Sequence, residues 1–351
     1  MELTLTSPPE PNGRSAAARH QRSAAAAPAL ASHGRDLLGD RLFRYLCLGS
    51  GLAVLAVLAL ILLATLQQSW PALRESGLGF LTDSAWVPND PDGDGPQRAS
   101  FGALAFIYGS LVVSALALLF AVPVAVGIAL FLTQVAPRRL RGPAITVIDL
   151  LAAVPSVVFG LWGILVVAPA LGPVYGAIHR AVDGIPVLDT VLGEPVSTGR
   201  NYLTAGLILA IMIIPIITSL SREVFTTVPS ADMQAAYALG ATRWEMIKGA
   251  VFPHSFGGLV GAVMLGLGRA MGETIAVALV IGSSVQITAN LFASGDALPA
   301  VIVNQFGESG PLHRSSLIGL GVVLFVITVL VNVLARFVVR RAEIRMRGAA
   351  A

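Results

Sequence analysis

Long apolar runs alternate with short polar segments along most of this chain, and the runs have the length that crosses a bilayer. Six stand out: Phe43–Leu66, Ala103–Thr133, Ala144–Leu171, Tyr202–Leu220, Phe256–Val285 and Ser316–Val339. A seventh apolar piece, Ala297–Phe306, is too short to span and is expected at the outer surface or re-entering the membrane. The pattern predicts an all-α polytopic membrane protein with six transmembrane helices. Residues 1–38 are rich in Ser, Ala, Pro and Arg without apolar periodicity, which predicts a disordered cytoplasmic tail. The first apolar run lies too deep and is too long for a cleaved leader. The transmembrane domain is therefore expected over 39–345, with a short tail at 346–351.

Composition strengthens this reading. Of 351 residues, 55% are apolar and 12% charged, whereas a soluble domain carries about 25% charged residues. The formal charge of +3 could suggest nucleic acid, but its distribution follows topology instead. Seventeen of the 23 Lys and Arg fall in the N-terminal segment up to Arg44, in Val135–Pro143, in Ser221–His254 and in the C-terminal segment from Arg336. That asymmetry places both termini and the Ser221–His254 loop inside the cell. The single Cys47 sits within an apolar run, where a core thiol is expected and no intrachain disulfide can form.

The one substantial polar interruption in the second half, Ser230–Pro253, has a helix–turn–helix grammar. Ser230 is a candidate N-cap, with Asp232 in the first turn, where the helix dipole favours an anion. Gly240 can end that helix in a left-handed conformation. Thr242 and Glu245 follow at capping-box spacing, so a second helix starts almost at once. Two short helices meeting at a Gly elbow form a knob between spans, suited to a soluble partner.

The fifth run holds two charges that insertion energetics disfavour. Arg269 and Glu273 lie in GLGRAMGETIAVALVIG, and each costs about 2.5–3.5 kcal/mol at mid-bilayer. Their spacing puts both on one helix face, within reach of each other. Either they form a structural ion pair, or Arg269 lines a path for an anion, with Glu273 holding it in place. A guanidinium suits the second role, because its fork matches phosphate oxygens and it stays charged at physiological pH. Gly268 and Gly272 form a small-xxx-small pair expected to admit a neighbouring helix. Pro123, Pro155 and Pro215 fall inside spans and are expected to bend them. Asp149, near the start of the third run, is expected to be structural. Asp90, Asp92 and Asp94 alternate in the first outer loop, but without an EF-hand Gly and distal Glu they predict a solvated turn.

Ser230–Pro253 resembles the EAA loop of bacterial ABC-importer permeases, with Gln234, Ala235, Ala236, Gly240 and Pro253 in register. Gln234, Ala250 and Phe252 replace that pattern's Glu, Ile and Leu. FGALAFIYGSLVVSALALLFAVPVAVGIALFL, LLAAVPSVVFGLWGI and GRAMGETIAV together resemble the permeases of phosphate-specific importers, the PstC type in particular, over about residues 38–345. The resemblance implies a type I ABC importer permease fold in the bacterial plasma membrane. It also implies that the EAA loop docks on the ATPase subunit and that Arg269 and Glu273 take part in phosphate passage. The implied partners are a second, PstA-like permease, a dimer of PstB-like ATPases and an extracytoplasmic PstS-like phosphate-binding protein. ATP and Mg would be bound by the ATPase, with no cofactor in this chain. Lys248 is the only lysine and is followed by Gly249, so no Walker A motif is present. Two further readings are a permease for sulfate or molybdate, and an ATP-independent anion channel or secondary transporter, which would have no use for an EAA-like knob.

Overall fold

The computed structural model describes residues 34–88 and 100–348; the three alternating aspartates of the first outer loop and most of the N-terminal tail lie outside them. The chain divides between Ile61 and Leu62 into two units. A long helix, α1 (Gly34–Ser76), runs through both. From Gly39 to Ile61 every residue of α1 is exposed. Cys47 is among them, so it is a surface thiol and not a core one. An apolar run inserted in lipid needs no protein around it, and the same run in a core would look identical in sequence.

In the second unit the chain continues through a single turn, α2 (Gly79–Thr82), and an antiparallel pair, β1 (Trp86–Val87) with β2 (Ser100–Phe101). Helix α3 (Leu104–Leu130) ends in a π turn over Phe131–Val135. An amphipathic helix, α4 (Arg138–Ala152), comes next, then α5 (Ser156–Trp162), a π turn (Gly163–Val167) and α6 (Ala168–Val182). A short α7 (Pro186–Val191) leads to α8 (Tyr202–Thr226). Helix α9 (Ser230–Ala238) precedes α10 (Arg243–Met246), a third π turn (Ile247–Val251) and α11 (Phe252–Gly272). Two short helices, α12 (Ile275–Val280) and α13 (Leu298–Gln305), lie before the last helix, α14 (Pro311–Gly348).

Six helical stretches are long and apolar enough to cross a membrane: Gly39–Ser76, Leu104–Val135, Ser156–Val182, Tyr202–Thr226, Arg243–Gly272 and Pro311–Phe337. The expected number holds, but two positions change. The third span begins at Ser156, because α4 is a separate helix and Pro155 occupies the N-cap of α5. Pro155 therefore starts a span instead of bending one, and Asp149 lies exposed on α4. Pro123 and Pro215 do lie within helices. The fifth span begins at Arg243 and stops at Gly272, before Glu273.

Helix α8 is the axis of the packing. Ala117, Ala121 and Ala125, all fully buried, form a stripe of small side chains on α3 at one-turn spacing, which lets α8 approach closely. Gly206 on α8 faces Leu116, and a Cβ there would lie 2.7 Å from the Leu116 Cβ. Further along α8, Gly258 and Gly266 of α11 pack on Val224 and Ile217. These glycines carry the close helix contact expected of Gly268 and Gly272, neither of which has any atom within 4 Å of its Cβ position. At one end, Trp86 packs edge-on against Phe101 and Phe106, and its Nε1 donates to Gln305 Oε1 at 2.8 Å. The seventh apolar piece is α13, with Leu298, Pro299, Ala300 and Val301 buried among the other helices.

Gly109 of α3 lies directly under the carbonyl oxygen of Asp296, where a Cβ would overlap it. Gly109→Ala is expected to lower the thermal midpoint of the detergent-solubilised protein by several degrees, because backbone on both sides blocks relief. Gly127→Ala, at a position open to 4 Å in the same helix, is expected to hold or raise it, since Ala favours helix by about 0.5–1 kcal/mol.

Candidate functional site

The sequence-predicted site residues fall in two places. The first is the knob. Asp232 sits in the first turn of α9, but Ser230 is its first helical residue; Pro229 holds the cap position without a side-chain bond. Gly240 has φ +84, the left-handed conformation expected of it, and the Gly240 and Ala241 N–H groups donate back to the Tyr237 and Ala236 carbonyls. The capping box is complete: Thr242 N–H donates to Glu245 Oε2 at 2.8 Å, and Glu245 N–H donates to Thr242 Oγ1 at 3.3 Å. The helix it starts is not a short, separate one. It runs through the π turn into the fifth span, so the knob and the span share one rod.

Met233 and Ala236 turn inward onto a cluster that includes Phe225, Val228, Met246 and Val251. Gln234, Ala235, Gly240 and Pro253 are exposed. Around Gly240, Tyr237, Leu239 and Trp244 also lie open, Leu239 at 90% exposure. A compact polar turn with three large apolar side chains at its tip has the composition of a docking surface.

The second place is the end of α11. Arg269 is exposed, whereas Glu273 is buried, at 8% exposure. The pair expected from their spacing does not form; among the described residues no ion pair includes either. The reason is a helix break. Helix α11 ends at Gly272, and Glu273 takes extended backbone (φ −71, ψ 126), leaving the face that carries Arg269. Its Oε1 instead accepts the Ala276 N–H at 3.3 Å, capping the start of α12. Thr274 Oγ1 donates to the Gly272 carbonyl across the break. Ser110, Ser114, Glu273 and Ala297 surround a cavity of about 10 Å³ there, room for about one water.

Arg269 faces the other way, into a cavity of about 970 Å³ between α11 and α14. Its walls are mostly apolar, with Asn332 and Arg336 contributed by α14. Two residues of this region were not singled out by their sequence. By sequence Arg336 reads as one of the topology-setting charges, although the apolar run continues three residues past it to Val339. Asp296 is 4% exposed, and burial pushes its carboxyl up to about 7, with the Ala297 N–H drawing it the other way.

Residues 121–347 match the family described as binding-protein-dependent transport system inner membrane component. The phosphate transport system permease protein PstC of Mesorhizobium japonicum is 42% identical over 313 residues, 89% of this chain and 93% of that protein. That of Haemophilus influenzae is 39% identical over 305 residues, covering 87% and 94%. PstC 2 of Mycobacterium tuberculosis is 41% identical over 300 residues, covering 85% and 91%. Among solved structures, a chain of a bacterial alginate ABC transporter in complex with a pentasaccharide-bound periplasmic protein superposes with a TM-score of 0.52 at 16% identity. That match covers 89% of this chain and 98% of the other, a likeness of fold.

The capping geometry separates shape from charge at Glu273. Glu273→Gln keeps an oxygen that can accept the Ala276 N–H, so its thermal midpoint should stay near wild type. Glu273→Ala leaves that N–H unmet, which is expected to cost about 1 kcal/mol and to lower the midpoint in detergent.

Proposed function

The chain belongs to the binding-protein-dependent transport system inner membrane components, and within them to the PstC permeases, and on that premise we propose that it is one of two membrane subunits of an ATP-driven importer of inorganic phosphate. Both termini and the knob face the cytoplasm, in keeping with the concentration of Lys and Arg on that side. A PstA-like permease forms the other half of the path. Two PstB-like ATPases, which bind ATP and Mg, dock on the knob, and a PstS-like binding protein delivers phosphate from outside.

The observation that carries the substrate path is an unpaired guanidinium in the span: Arg269 opens into the α11–α14 cavity, while the nearest acid in sequence is occupied at a helix start. A guanidinium with no partner in apolar surroundings gains from an anion, and the tetrahedral oxygens of phosphate suit its fork. Glu273 positions the break in the helix and does not neutralise Arg269, so the charge stays available.

Coupling follows from the shared rod. ATP-driven closure of the ATPases moves Gln234, Ala235, Ala236 and Gly240, and the helix beginning at Arg243 carries that movement to Arg269 without an intervening loop. The path then opens outward and, after hydrolysis, inward. An anion channel would need neither the exposed apolar tip nor this connection.

Arg269→Gln should abolish ATP-dependent phosphate uptake into proteoliposomes of the whole complex while ATPase activity and assembly persist; normal uptake would sink the pathway role. Gly240→Trp forces a β-carbon into the left-handed region and should release the ATPase on co-purification and stop uptake. Transport at the normal rate by that variant would falsify the coupling role. Unlabelled sulfate or molybdate in excess should leave phosphate uptake unchanged.

A further inference from the structure

The α11–α14 cavity holds more charge than the proposed path uses. Arg269 lines it from α11, and Arg336 lines it from α14 together with Asn332. Among its described lining residues there is no carboxylate, and among the described residues no ion pair includes either arginine. Helix α14 returns from the end of the bundle at which α11 stops, so its later turns lie toward the knob. Arg336 stands seven residues beyond Val329, which also borders the cavity, or about 10 Å further along the helix. The facing wall is low. Gly261 and Gly268 have no atom within 4 Å of their Cβ positions, so among the described residues nothing covers that wall of the groove at these two points.

Two like charges bordering one largely apolar groove repel each other, and an anion between or beside them offsets that repulsion. Asn332 lies one turn before Arg336; its Nδ2 donates to the Thr328 carbonyl, which leaves its amide oxygen and one N–H for other partners. A guanidinium and an amide on one helix face, both directed at one cavity, make a polar contact set for a small tetrahedral oxyanion.

Building on the reading of Arg269 as part of the path, we infer that Arg336, assisted by Asn332, forms a second contact for a phosphate-type oxyanion, on the knob side of Arg269. An anion leaving Arg269 toward the cytoplasm meets a second guanidinium in the same groove. The bound phosphoryl group is the transported phosphate and not the headgroup of an anionic lipid.

The test uses the complete complex in proteoliposomes, with uptake of labelled phosphate and ATP hydrolysis recorded together. Arg336→Gln should lower phosphate moved per ATP hydrolysed by about tenfold, the loss of one charge-assisted contact. Arg336→Lys should restore most of it, and the loss should be equal in zwitterionic and anionic vesicles. Asn332→Asp, which adds a negative charge beside the site, should also slow uptake; it carries the test if Arg336→Gln does not assemble. A wild-type coupling ratio in Arg336→Gln overturns the second contact, as does a loss seen only with anionic lipid, which assigns Arg336 to a headgroup. Wild-type uptake by an assembled Asn332→Asp variant overturns it too. Arg269→Gln, run alongside, separates the two readings: if it transports normally, the path itself is misplaced, whereas its failure beside a normal Arg336→Gln removes only the second contact.

Discussion

A helix that begins or ends inside an apolar slab frees backbone N–H and C=O groups that no water can reach, and each must find a partner within the protein. This requirement organises the buried half of the molecule. Asn201 Oδ1 takes the Thr204 N–H where α8 begins. Glu273 Oε1 takes the Ala276 N–H where α12 begins. Ser110 Oγ takes the Leu298 N–H at the start of α13, and Asp296 Oδ1 takes the neighbouring Ala297 N–H. Three buried helix starts are thus met by side-chain oxygens: Asn201 just before α8, Glu273 at the break before α12, and Ser110 of α3 with Asp296 before α13. The small residues of α3 and the glycines of α11 then bring the helices close enough for these reaches to be short.

The same requirement explains why the intramembrane charges do different work. An acid at a helix break has backbone donors ready for it, so Glu273 is spent on architecture. A base in the last turn of a helix has carbonyl acceptors nearby, yet among the described residues Arg269 bonds to none of them and borders open space between helices. The four-residue spacing that suggested a pair holds only for continuous helix, and the chain leaves helical backbone between the two.

What was legible in the sequence follows from how local each signal is. The capping box at Thr242 and Glu245 and the left-handed Gly240 depend on a few adjacent residues, and both are present as expected. The number of spans follows from apolar runs long enough to cross, and it also holds. Span boundaries fared worse where tertiary context decides. Hydropathy joins α4 to the third run, because Ile145–Ala153 is apolar apart from Thr146 and Asp149, and only the backbone at Pro155 separates them. The break before Glu273 has no Pro to announce it. The shared cavity of Arg269 and Arg336 is set by how α11 and α14 pack, which a pattern along one helix cannot convey.

The π turn at Ile247–Val251 sets the relation between knob and span. A π turn holds one residue more than an α turn, and one residue of α-helix corresponds to about 100° of rotation. The rod from Arg243 to Gly272 therefore has two azimuths: one sets the direction in which the knob's exposed tip faces, and the other sets Arg269 against the α11–α14 cavity. Removing a single residue here would leave every contact residue in the chain, yet turn one half of the rod against the other. In this helix direction is encoded by length, and a deletion acts as a change of phase.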